Sequence, residues 1–141
     1  MKGSQLSSIV KISEEMILRQ ALNMYHGQNR SAPDYRGAMR LFQGALLKTN
    51  AVANFYLGRM FERGLGVKRN GNRACIYYDV SSKLGFLPAK FELAEFHYLG
   101  RVIGRKDKRL GLKLFRESAK EGYEPSIERL MIMKLLAAIT T

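Results

Sequence analysis

Ala53-Asn54-Phe55-Tyr56-Leu57-Gly58, then Gly64-Leu65-Gly66-Val67, then Ala74, Tyr78, Ser81-Ser82 and Gly85: this stretch, residues 53–85, decides how the chain folds. It recurs. Ala53, Leu57, Phe61 and Gly64 reappear as Ala89, Leu93, His97 and Gly100, each 36 residues later. Ala74, Tyr78, Gly85 and Pro88 reappear as Gly111, Phe115, Gly122 and Pro125, each 37 later. A weaker copy lies upstream, where Ala21, Tyr25, Asp34, Ala38 and Phe42 precede Leu57, Phe61, Asn70, Ala74 and Tyr78 by 36. A fixed period of this size signals stacked supersecondary units, each too small to bury its own apolar face. Such a chain is better suited to a binding surface than to a catalytic pocket.

Within each copy the apolar residues recur at helical spacing, with Gly after a helix and Pro at the next start. The spacing predicts an all-α chain of seven helices. Ser13, followed by Glu14 and Glu15, reads as an N-cap. Residues 1–12, rich in Ser, Lys and Gly, read as a loose arm, and the repeat domain as 13–141. Its copies span about 17–52, 53–88 and 89–125, with a partial copy at 126–141. Asp34 is placed to cap a second helix running to about Lys48. Small residues (Gly58, Ala74, Ser81, Ser82) let paired helices approach, and Tyr25, Phe42, Phe61, Tyr78 and Phe115 fill the gaps between them.

The string from Ala53 through Gly64-Leu65-Gly66-Val67 to Ala74, Tyr78 and Gly85 resembles the Sel-1-like repeat, a relative of the tetratricopeptide repeat. The resemblance covers roughly residues 17–138. It implies a right-handed α-solenoid of about three helix-pair repeats plus a terminal helix, and an adaptor or scaffold role without shared catalytic residues. There are departures. Copy one has Gln28, Arg30 and Ser31 where the glycine turn is expected, and copy three has Val102 and Ile103 after Gly100, with one inserted residue. The loop position that is often acidic holds Asn70 in copy two, with Asp34 and Asp107 in the others.

The 141 residues suffice for one domain with its own core, and a 46% hydrophobic content argues against disorder. Cys75 is the single cysteine, so no internal disulfide forms and a reducing, cytoplasmic setting is expected. The first eleven residues lack a signal-peptide core, and no apolar run approaches the roughly 20 residues needed to span a bilayer. No His, Cys or carboxylate cluster has metal spacing, and nothing in the chain calls for a cofactor. His97 occupies the aromatic slot of Tyr25 and Phe61, so a packed, hydrogen-bonded core imidazole is expected. His26 falls near a helix end and reads as a surface residue, Cys75 as a small core residue. The chain is not expected to be an enzyme.

Three surfaces are candidates for binding. Twenty-four basic against twelve acidic side chains give a net charge of +12, which favours an anionic partner. Arg63, Lys68, Arg69 and Arg73 surround the turn in copy two, and Arg101, Arg105, Lys106, Lys108 and Arg109 the turn in copy three. Arg30, Arg36 and Arg40 do so more thinly in copy one. Stacking would align them as a basic edge, with Glu117, Glu121, Glu124 and Glu128 on the opposite side. The second surface is the concave groove that the resemblance implies for the first helix of each copy. There Arg19, Asn23 and His26, then Phe55, Arg59 and Glu62, then Phe91, Glu95 and Tyr98 would face a partner, with the phenylalanines as anchors. The third is the C-terminal helix, whose Met131, Ile132, Leu135, Leu136 and Ile139 leave almost no polar face and suit association, including with a second copy. The expected partner is a protein, acidic or presenting a hydrophobic peptide or helix. Nucleic acid is the alternative, though the aromatics fall at core periods rather than interleaving with the basic residues.

Overall fold

The computed structural model describes residues 2–101 and 106–141. Among the described residues seven α-helices follow one another: α1 Lys2–His26, α2 Tyr35–Phe42, α3 Ala51–Arg63, α4 Gly71–Lys83, α5 Leu87–Leu99, α6 Lys108–Lys120 and α7 Glu124–Thr140, with a 3₁₀ turn at Ala45–Leu47. Among the described residues there is no strand. Consecutive helices pack as hairpins, α1 with α2, α3 with α4 and α5 with α6, and α7 packs on α6. The fold is an α-solenoid.

The same local chemistry starts and stops each hairpin. Asp34, Asn50, Asn70 and Asp107 cap α2, α3, α4 and α6, each side chain accepting from the N–H three residues on, at 2.9–3.0 Å. Gly64 and Gly100, both at φ 71°, terminate α3 and α5 in the left-handed conformation that costs glycine little. The N–H of Asn70 then bonds the carbonyl of Phe61 at 2.8 Å, and that of Asp107 the carbonyl of His97 at 2.9 Å. Each cap is thereby tied back onto the helix it follows, which fixes the hairpin angle.

The core passes through the pairs rather than lying within them. One cluster joins Ala21, Tyr25, Ala38 and Phe42 of the first pair to Ala53, Leu57 and Met60 of the second. The next joins Phe61, Ala74 and Tyr78 to Ala89, Leu93 and Phe96. Tyr25, Phe42, Phe61, Tyr78 and Phe115 are all buried, as their repeat positions predict. Each large side chain so buried stabilises by about 1.5–3 kcal/mol, and the clusters join each copy to the next.

The first copy differs from its expected outline. Residues 2–12 are helical and continue α1 without a break, although all lie exposed. Ser13 is therefore an interior helical residue and caps nothing. The second helix of this copy ends at Phe42, and the 3₁₀ turn replaces the helix expected to Lys48. Gly44, extended at ψ 154°, interrupts the ladder there. Where copy two uses glycines in its turn, copy one holds Asn29 and Arg30 at φ 49° and 68°. Each such non-glycine residue costs on the order of 1 kcal/mol.

Candidate interaction surfaces

Turns of successive copies meet along one edge. Gly66 lies so close to the start of α2 that a Cβ there would stand 2.8 Å from Tyr35 Cβ, and a Cβ on Gly71 would stand 3.3 Å from the Arg101 carbonyl oxygen. Arg63, Lys68, Arg69, Arg73, Arg101, Lys106, Lys108 and Arg109 are all exposed, and Arg105 lies outside the described residues. Two of these cations rest on aromatic faces. Arg73 lies 5.4 Å from the Phe61 ring centre, and Lys108 5.7 Å from that of Tyr98. α2, α4 and α6 have no acid in their first turns, which instead carry Arg36, Arg73, Lys108 and Arg109. A cation there meets the positive end of the helix dipole, at a cost of about 0.3–1 kcal/mol each.

Arg101 departs from the edge. Its guanidinium turns onto the wall formed by α3, α5 and α7, 3.1 Å from Glu62 Oε1 and 4.0 Å from Glu95 Oε2. Glu95 is buried, and on its other side Arg129 of α7 donates from Nη2 to Oε2 at 2.9 Å, with Nε 2.8 Å from Oε1. Glu62 accepts from the Tyr78 hydroxyl at 2.7 Å. Burial, reinforced by Glu62, pushes the Tyr78 phenol far above its ordinary range. Glu92 stands beside this network, and burial first, then Glu62, raises its carboxyl above the usual carboxylate range. The wall thus gathers three cations and three carboxyl groups: Arg59, Arg101 and Arg129 with Glu62, Glu92 and Glu95.

That arrangement corrects the proposed groove anchors. Phe55 is buried, edge-on to Tyr56 and Phe86 and tilted against Tyr78, with the Arg59 guanidinium 5.5 Å from its ring centre. Phe91 is half-buried, edge-on to Phe115 and Tyr123. Both pack sideways between helices, because an aromatic at a helix seam gains more from burial than from facing water. Glu95 is likewise a buried tie rather than an open contact. Arg19 and His26 are exposed, Asn23 and Tyr98 half-buried, and His26 Nε2 stands 3.2 Å from the Tyr56 hydroxyl.

The C-terminal helix is buried on one side and open on the other. Ser126 is the one fully buried residue of α7, bonded to Ser118 of α6. On the opposite face Met131, Ile132, Leu135, Leu136 and Ile139 are 60, 49, 62, 56 and 78% exposed. Among the described residues no helix is long and apolar enough to cross a membrane.

A model of the Sel1 repeat matches residues 51–86 and 87–123, which are the α3–α4 and α5–α6 hairpins. The chain belongs to the Sel1 repeat family. Solved structures are similar to it, two of them as follows. One is a Sel1 repeat protein from Oxalobacter formigenes, at 24% identity and TM-score 0.72, covering 83% of this chain and 47% of that one. The other is c5321, a protective antigen of uropathogenic Escherichia coli with an SLR fold, at 24% identity and TM-score 0.77, covering 86% of this chain and 26% of that one. The chain spans about half and about a quarter of their lengths. Sel1 repeats are generally protein–protein interaction modules, and the family is typically a non-catalytic scaffold.

Within this Sel1 chain, two residues take unexpected places. His97 is half-buried rather than sealed in the core, and with Cys75, Asp79, Ile76 and Leu93 it lines a cleft of about 340 Å³ between α4 and α5. Burial, and secondarily Asp79, raises the Cys75 thiol above its ordinary value, which opposes thiolate chemistry. Among the described residues no group of His, Cys, Asp and Glu is arranged to hold a metal. The charged wall also includes Glu92 and Arg129, which the periodicity did not single out. One signal was present: Arg101 stands after Gly100 where Leu65 follows Gly64, a charge in an apolar turn position.

Proposed function

We propose that this Sel1 repeat protein is a non-catalytic adaptor that holds a protein partner through the apolar face of α7, with the basic edge setting charge preference. The supporting observation is that face: five large apolar side chains, about half to three-quarters exposed, opposite the side that packs on the domain. Monomeric soluble proteins rarely leave so contiguous a patch uncovered. The basic edge favours an acidic partner and faster encounter, because the chain carries a net charge of +12 and Arg63, Lys68, Arg69, Arg73, Lys106, Lys108 and Arg109 are exposed around the turns. The charged wall of α3, α5 and α7 suits a polar segment rather than a phenylalanine-anchored peptide. A cytoplasmic setting is consistent with the lone thiol.

A second reading, nucleic-acid binding, is favoured by the same basic edge. The two separate in one experiment on the full chain. Immobilised protein captures partners with and without nuclease, beside a Met131→Gln/Leu135→Gln/Ile139→Gln variant and a Lys68→Gln/Arg69→Gln/Lys106→Gln/Arg109→Gln variant. The adaptor reading requires capture that survives nuclease and is lost in the α7 variant. Capture abolished by nuclease and by the edge variant alone, and weakening steeply with salt, replaces it with the nucleic-acid reading.

A further inference from the structure

A second apolar face lies on α1. The first half of α1 runs past α2, and Leu6, Ile9 and Val10 are 63, 58 and 50% exposed, with Ile12 and Met16 at 57 and 64%. Leu6, Ile9, Val10 and Ser13 follow the spacing i, i+3, i+4, i+7, which places them on one stripe. Ile132, Leu135, Leu136 and Ile139 on α7 follow the same spacing. Lys2 precedes Leu6 by four residues, and Glu128 precedes Ile132 by four, so each stripe begins with a charge and the two charges are opposite. Both charged residues are exposed.

We infer that α1 of a second copy covers α7, lying parallel to it, so that copies associate head to tail. In this register Leu6 meets Ile132, Ile9 and Val10 meet Leu135 and Leu136, and Lys2 sits beside Glu128. The two faces together offer on the order of 1,000 Å² of apolar surface, the lower bound for a specific contact. The contact is heterologous: it joins different surfaces of identical chains, and each added copy exposes a fresh α7. It also continues the internal logic of the fold, where first helices of successive copies already bridge through Glu62, Arg101, Glu95 and Arg129. The inference rests on α7 being an interaction face and names one occupant of it.

The test is complementation in sedimentation. Wild type should grow in mass with concentration, beyond twice its 16.0 kDa. A Leu6→Gln/Ile9→Gln/Val10→Gln variant and a Met131→Gln/Leu135→Gln/Ile139→Gln variant should each stay monomeric alone. Mixed in equal amounts, they should form a 1:1 dimer and nothing larger, because the mixture contains one intact face of each kind. Should the α1 variant alone still dimerise, the contact is α7 on α7 and the inference is overturned. A monomeric wild type overturns it too, and leaves the adaptor reading standing if the α7 variant still loses a captured protein. Should the α1 variant lose helix content, Lys2→Glu and Glu128→Lys give a second route. Each alone should weaken association a few-fold and the pair should restore it; no recovery in the pair overturns the parallel register.

Discussion

Replacing Glu95 by Gln keeps the side chain's shape and removes its charge from the wall between α5 and α7. The Glu95 side chain is 7% exposed, and it faces Arg129, at 33%, and Arg101, at 43%. A hydrogen bond to a charged group contributes about 1.5–3 kcal/mol when enclosed. Arg129 donates one hydrogen bond, from Nη2 at 2.9 Å, and its Nε adds an ion-pair approach of 2.8 Å without hydrogen-bond geometry; partial exposure to water reduces their combined contribution by roughly half. Arg101, at 4.0 Å and more exposed, adds a few tenths. The expected loss for Glu95→Gln is about 2 kcal/mol, or roughly 6 °C in Tm for a domain of this size. Urea unfolding gives the global figure, and amide exchange along 124–140 shows whether α7 loosens first. A cycle with Arg129→Gln should return a coupling of about 1–2 kcal/mol. A change within about 0.5 kcal/mol, with α7 protection intact, would refute the view that this tie positions the terminal helix.

Two further outcomes follow from the packing and the titration. Gly111→Ala should destabilise by up to about 2 kcal/mol in urea unfolding, although copy two carries Ala74 at the same position. A Cβ at Gly111 would stand 2.8 Å from the Tyr98 amide nitrogen and 2.9 Å from the Ala94 carbonyl oxygen, and backbone cannot swing aside, so overpacking of about 1–3 kcal/mol exceeds the helix-propensity gain of about 1. Glu92→Gln should raise stability at neutral pH more than at pH 4. With its folded pKa raised above the ordinary value of 4.5, native Glu92 holds its proton more tightly than the unfolded chain does. It therefore costs stability as pH rises from that value through the folded pKa, and the variant should flatten this slope; equal gains at both pH values would count against a buried carboxylate.

Much of the solenoid was legible because period and punctuation are local. Asp34, Asn70, Asp107, Gly64 and Gly100 act on backbone groups within a few residues, so their spacing fixes where hairpins begin and end. Copy one was read less well for the same reason. Its turn lacks glycines, and the 3₁₀ turn at Ala45–Leu47 is held against α1, a contact outside any local window. The arm at residues 2–12 escaped because a helix with exposed apolar residues carries no strong boundary signal. Phe55 and Phe91 were misplaced by a different route. Counting positions along a helix gives a direction, but which neighbour occupies that direction depends on how closely the next hairpin approaches.

By itself the sequence determined the all-α class, the period, the capping residues of α2, α4 and α6 and the apolar stripe of α7, because each follows from forces acting within about one helical turn. Only the tertiary structure decided that Arg101 leaves the basic edge for Glu62 and Glu95, that Arg129 clasps Glu95, and that Phe55 is buried while Phe91 packs half-buried against Phe115 and Tyr123. Those outcomes depend on the distance between helices remote in sequence, where a shift of a few ångströms decides whether a charge finds a partner or water.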